Sequence, residues 1–146
     1  MSALALLSEY DVRDPQEISP TPTVSERETA PDWAEELANC LVAFLHLESG
    51  WDSYGAPTPR REAVVAAYEL LMMIADPRTP APQAVPTSRG GVQLEWHEYG
   101  IDLEVEVHSA FRFDVFYANS STGETSEEEL MADLTPLRTW IERLSE

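Results

Sequence analysis

Residues 92–98 read VQLEWHE, residues 101–108 read IDLEVEVH, and residues 111–118 read FRFDVFYA. In each stretch apolar and polar side chains alternate with period two. Val92, Leu94 and Trp96 fall on one side and Gln93, Glu95 and His97 on the other. Ile101, Leu103, Val105 and Val107 oppose Asp102, Glu104, Glu106 and His108 in the same way, and Phe111, Phe113, Val115 and Tyr117 oppose Arg112, Asp114 and Phe116. Strict alternation over seven or eight residues predicts strands with one buried face, here an antiparallel meander. Tyr99-Gly100 supplies a two-residue turn.

The register follows from matching inward residues to inward residues. Glu98 is expected opposite Ile101, Trp96 opposite Leu103, Leu94 opposite Val105, and Val92 opposite Val107. A three-residue turn at His108–Ala110 would pair Val107 with Phe111, Val105 with Phe113 and Leu103 with Val115. On the outward side Glu95, Glu104 and Asp114 would then form one row across three strands. His97 would face Asp102, and Glu106 would face Arg112. Like charges opposite one another destabilise a sheet. A divalent cation, an arginine from a partner, or simple solvation would each offset the repulsion.

Upstream, the period is helical. Trp33, Leu37, Cys40, Leu41, Phe44 and Leu45 give an apolar stripe from Asp32 to Leu47, with Pro31 and Asp32 at the start and Gly50 past the end. A second helix is expected from Pro59 to Ala75, capped by Thr58, with Val64, Tyr68, Leu71 and Met72 on its apolar side. The loop between them, GWDSYGA at 50–56, reads as structural. Trp51 and Tyr54 are expected to pack across the second helix, Asp52 to cap backbone N–H groups, and Gly55 to supply unusual backbone angles. Residues 77–90 are proline-rich, with an edge strand expected near Ala84–Thr87. At the other end Ser126 and Glu129 have the spacing of a capping box, which predicts a C-terminal helix carrying Leu130, Leu134, Leu137, Trp140 and Ile141.

The expected fold is therefore α+β. A small antiparallel meander of three to four strands is packed on one face by two to three helices, over residues 32–146. Residues 1–31 read as a flexible, acidic, Pro-rich segment, with an apolar patch at Leu4–Leu7.

Charge narrows the function. The chain carries 27 acidic residues against 9 arginines and contains no lysine, for a net charge of −18. The charge is distributed, with net −4 over residues 1–31, −9 over 32–118 and −5 over 119–146. Without lysine there is no phosphate-loop lysine and no Schiff base. The charge opposes direct nucleic-acid binding and anionic membranes and suits a basic protein partner. A salt-adapted or GC-rich proteome would give the same bias. One cysteine, Cys40, excludes an internal disulfide and a cysteine-based zinc site. No run reaches the length of a membrane span, and no signal-peptide pattern is present, so a cytoplasmic location is the expectation.

Catalytic motifs are lacking. His46 has no second ligand at helical spacing. His97 with Asp102 has no nucleophile beside it, and Cys40 sits on an apolar stripe. The expected site is the acidic face: Glu95, Glu104, Glu106, Asp114, Asp102 and Phe116. No metal and no cofactor are assigned to it. The leading expectation is a non-enzymatic interaction module that neutralises a basic partner. The alternatives are a nucleic-acid mimic and a metal-dependent hydrolase using the same carboxylates. An edge strand and the outward Phe116 also suit a homodimer.

The segments GWDSYGA (50–56), Pro86-Thr87, GGVQLEW (90–96) and DLEVEV (102–107) resemble a pattern in small bacterial proteins of uncharacterised activity. The resemblance spans about residues 33–117. It implies a bacterial source and a shared fold, and no activity.

Overall fold

In the computed structural model, which describes residues 30–145, the alternating stretches form consecutive strands of one antiparallel sheet. The strands are β1 (Gln83–Pro86), β2 (Val92–Glu98), β3 (Ile101–Ser109), β4 (Arg112–Asn119) and β5 (Thr125–Leu130). Their spatial order is their chain order, so every connection is a hairpin. Three helices accompany them among the described residues: α1 (Ala34–Phe44), α2 (Arg61–Ile74) and α3 (Thr135–Arg143). The fold is α+β as expected, with five strands rather than three to four. The expectations for the segment before residue 30, including Leu4–Leu7, lie outside the described residues.

The helices bury the inward face of the sheet. Val92, Leu94, Trp96, Leu103, Val105, Val107, Phe113, Val115 and Tyr117 share one core with Leu41 of α1, Leu70 and Leu71 of α2, and Leu137 and Ile141 of α3. Two indoles fasten the proline-rich connection to this core. Trp33 Nε1 donates to the Thr79 carbonyl and Trp96 Nε1 to the Pro80 carbonyl, each at 2.8 Å. Trp140 of α3 stacks on Tyr117 at 5.0 Å between centroids, and Arg143 donates to the Tyr117 hydroxyl at 2.9 Å.

The β2–β3 register is the expected one at every pair, closed by Tyr99 at φ 52° and Gly100 at φ 78°. A two-residue turn with positive φ at both positions matches the twist of the strands it joins. The β3–β4 register is not the expected one. Val107 pairs with Phe113, Val105 with Val115 and Leu103 with Tyr117, a shift of two residues. The cause is a bulge at His108, with a tight Ala110-Phe111 turn beyond it. Phe111, expected inward, lies at the turn and is exposed.

The capping-box reading of Ser126 and Glu129 is overturned, because 125–130 is strand β5. Gly123 at φ 76° makes the preceding turn, and Leu130 is buried opposite Phe113. Pairing with the free edge of β4 outweighs the local helix signal, and the helix starts only at Thr135 with Pro136 in its first turn.

Other local expectations also change. Helix α2 begins after Arg60, and the Thr58 hydroxyl donates to the Leu47 carbonyl instead of capping it. Cys40 is exposed, off the apolar stripe of α1. Tyr54 packs against nothing, at 92% exposure. Elsewhere in the loop the expected backbone capping by Asp52 is present. Asp52 Oδ1 accepts from the Tyr54 and Ala56 N–H groups, which holds its carboxyl below the usual range, and Trp51 Nε1 donates to the Pro57 carbonyl. Gly55 adopts φ 84°.

Candidate functional site

All described helices pack on the inward face, so the outward face of the sheet is uncovered by any described element. Its residues are those that alternate away from the core: Glu95 and His97 on β2; Asp102, Glu104 and Glu106 on β3; Asp114 and Phe116 on β4; Glu127 and Glu129 on β5. All six residues expected at the site lie on it.

The expected row of three carboxylates is corrected. Glu95 does face Glu104, but Glu104 faces Phe116, and Phe116 faces Glu127. Asp114 lies between Glu106 and Glu129 in the neighbouring row. Arg112, expected opposite Glu106, instead pairs with Ser109 at the hairpin end. The two-residue register shift thus puts an aromatic ring into the centre of the carboxylates.

The periphery of the face neutralises itself. His97 Nδ1 bonds Asp102 Oδ1 at 2.7 Å, and Gln93 donates to Glu95 at 2.7 Å. The Asp102 carboxylate, helped by Glu95, holds the imidazolium, so the His97 pKa is raised. On the other side Arg89 pairs with Glu106 and lies 3.7 Å from Asp114, while His108 Nε2 bonds Asp114 Oδ2 at 2.7 Å. Glu106, His108 and Asp114 place one donor atom each within 4.8 Å of one another. Two carboxylates and an imidazole at that spacing are a set a divalent cation could share. Here the guanidinium of Arg89 supplies the positive charge.

Arg89 and His108 were not legible as site residues in the sequence. Arg89 reads only as part of a turn, and its aim depends on Arg60. The Arg60 backbone N–H donates to the Gly90 carbonyl, and its guanidinium donates to the carbonyls of Arg89 and His108, at 2.8 and 2.9 Å. That clamp ties the start of α2 to the β1–β2 turn and to the bulge. His108 reads as an outward strand-end residue, yet the bulge buries it to 8% exposure.

The centre of the face has no such compensation. Among the described residues, Glu104 and Glu127 make no ion pair and no side-chain hydrogen bond. They flank the half-buried Phe116. Gln93, Glu104, Glu106, Asp114, Phe116 and Glu127 line a shallow depression of about 360 Å³ at this point. Such a surface can accept cationic groups by charge-assisted hydrogen bonds and by stacking on the ring.

No helix among the described residues is long and apolar enough to cross a membrane. No protein-family model, curated protein or solved structure matches the chain.

Proposed function

We propose that the chain is a non-enzymatic interaction module whose acidic sheet face engages and neutralises a more basic partner protein. An antitoxin, an immunity protein or an inhibitor within a bacterial accessory system would act in this way. One observation carries the reading: the unpartnered Glu104 and Glu127 on either side of Phe116. On the outward face the carboxylates around them, Glu95, Asp102, Glu106, Asp114 and Glu129, already have cations or hydrogen-bond donors, so the two that flank Phe116 retain unmet demand. Aromatic residues and arginine are enriched where interfaces carry most of their binding energy. The ligand chemistry it suits best is an arginine side chain, stacked on Phe116 and bonded by the flanking carboxylates.

The nucleic-acid-mimic reading loses support, since Phe116 interrupts the row of charges that would imitate successive phosphates. For the hydrolase reading the single row of Glu95, Glu104 and Asp114 is not formed, because Asp114 lies opposite Glu106 and Glu129 instead.

The test is Glu104→Arg. Wild-type protein is expected to recover a cationic protein from the source bacterium at low salt. The variant, with its fold retained by circular dichroism, is expected to bind that protein at least about 100-fold more weakly, since a like charge at the contact costs several kcal/mol. Equal affinity for both forms would refute the reading.

A further inference from the structure

Three donor side chains meet beside the β3–β4 bulge. Glu106 comes from β3, His108 from the bulge itself, and Asp114 from β4 directly opposite Glu106. One donor atom from each lies within 4.8 Å of the other two. The set is mixed, an imidazole with two carboxylates, and its ring is held in place. The His108 side chain is nine-tenths buried, and Arg60 fixes the bulge by donating to the His108 carbonyl at 2.9 Å. Among the described residues the ring has one side-chain partner, Asp114 Oδ2, through Nε2. His97 is built differently. It bonds Asp102 through Nδ1 and approaches Glu95 through Nε2, so its two carboxylates lie at opposite ring atoms and share no common point with the imidazole.

At His108 the donors converge on a point that already holds positive charge. Nη2 of Arg89 pairs with Glu106 and lies 3.7 Å from Asp114 Oδ2, the same oxygen that bonds His108. A guanidinium neutralises two carboxylates but offers an imidazole nitrogen no coordinate bond. A metal ion does both. The Arg89 side chain is 61% exposed, so its tip swings into water without disturbing the core.

We propose that Glu106, His108 and Asp114 bind one divalent transition-metal ion of the Zn²⁺ type, in exchange for the Arg89 guanidinium. Donors bonded to one tetrahedral zinc ion stand about 3.3–3.5 Å from each other. Small side-chain rotations close the present spacing to that value, and the partly exposed Asp114 has room for them. A nitrogen–oxygen set selects Zn²⁺, Co²⁺ or Ni²⁺ over Mg²⁺ and Ca²⁺, which take oxygen ligands. Charge balances as well, since one doubly charged ion neutralises the two carboxylates as Arg89 leaves. Glu106 and Asp114 also line the depression around Phe116, which puts the ion at its margin. The site stands apart from the partner-binding reading, whose Glu104 and Glu127 are not ligands.

Isothermal titration of the metal-free full chain with ZnCl₂, in excess MgCl₂, tests this together with nitrogen-correlated NMR of the histidine rings. The expected result is one saturable equivalent of Zn²⁺ that Mg²⁺ does not displace, with the His108 ring resonances shifted and those of His46 and His97 unmoved. Asp114→Asn and His108→Gln are each expected to weaken binding at least about tenfold, the lower end of what an outer partner of a ligand is worth. Asp114 is partly exposed, so Asp114→Asn tests the site with the fold intact even where His108→Gln disturbs it. Arg89→Gln is expected to tighten binding by removing the competing cation, and Glu104→Gln to leave it unchanged. The proposal is overturned by absent or unsaturable binding, by binding that tolerates Asp114→Asn, by a shift of His97 in place of His108, or by an Arg89→Gln form that binds no tighter than wild type.

Discussion

His97 shows how one side chain on an exposed strand becomes pH-sensitive. The two-residue turn places it directly opposite Asp102, and the 2.7 Å hydrogen bond stabilises the protonated ring. Its folded pKa is therefore above the ordinary value. A raised folded pKa gives stability that is fully present below the unfolded pKa of about 6.5 and is lost as pH rises through the folded pKa. His97→Gln is accordingly expected to be less stable than wild type in urea at pH 5.5–6, and the gap should narrow to nothing as pH is raised past the folded pKa. A gap that is constant with pH would show that His97 acts only by packing. Asp52 works by a different route, because its partners are backbone N–H groups of its own loop. Its residue type and spacing were enough to read that role from the sequence, whereas Arg89 acquires its role only through Arg60, a residue 29 positions away.

At the scale of elements, the two central hairpins separate what a pattern specifies from what it leaves open. Alternation fixes which side chains face the core, but a slip of two residues keeps every side chain on its own face. The pattern therefore could not distinguish Val107 opposite Phe111 from Val107 opposite Phe113. The turn decides, and the β3–β4 turn contains neither glycine nor asparagine to announce its geometry. Tyr99-Gly100 does announce it, and that hairpin was read correctly at every pair. Strand β5 was lost for a related reason. Three glutamates in a row look solvent-exposed and helical, yet they suit an edge strand, where charge discourages pairing with other chains. Glycine's part in the turns is measurable. A Cβ on Gly100, at φ 78°, would meet Ser120 Oγ at 2.6 Å, whereas one on Gly123, at φ 76°, would meet nothing. Both alanine variants carry the left-handed backbone cost of about 1 kcal/mol, and Gly100→Ala adds the displaced Ser120 hydroxyl. Urea unfolding is expected to show Gly100→Ala about 0.5–1 kcal/mol below Gly123→Ala. Equal losses would mean that the serine contact carries no weight.

Across the whole molecule the imbalance of 27 acids to 9 arginines sets the sign of the salt response. Among the described residues at least five arginines make ion pairs, with Glu62, Asp76, Glu106, Glu124 and Glu129. These pairs are largely exposed, and each contributes at most about 1 kcal/mol. Screening them costs little, while screening the excess carboxylates relieves repulsion throughout the compact state. Melting temperature is therefore expected to rise with NaCl. Self-association would produce the same trend, so the experiment belongs at low protein concentration, where mass action contributes least. Glu104→Arg should melt at a higher temperature than its parent in low salt and converge with it as salt is added, because it removes an unpaired charge facing Glu95. A melting temperature that falls with NaCl would reverse the assignment, making the arginine pairs rather than the acidic excess the controlling electrostatic feature of the fold. The acidic face would then already be neutralised from within, and Glu104 and Glu127 would lose the unmet demand on which partner binding rests.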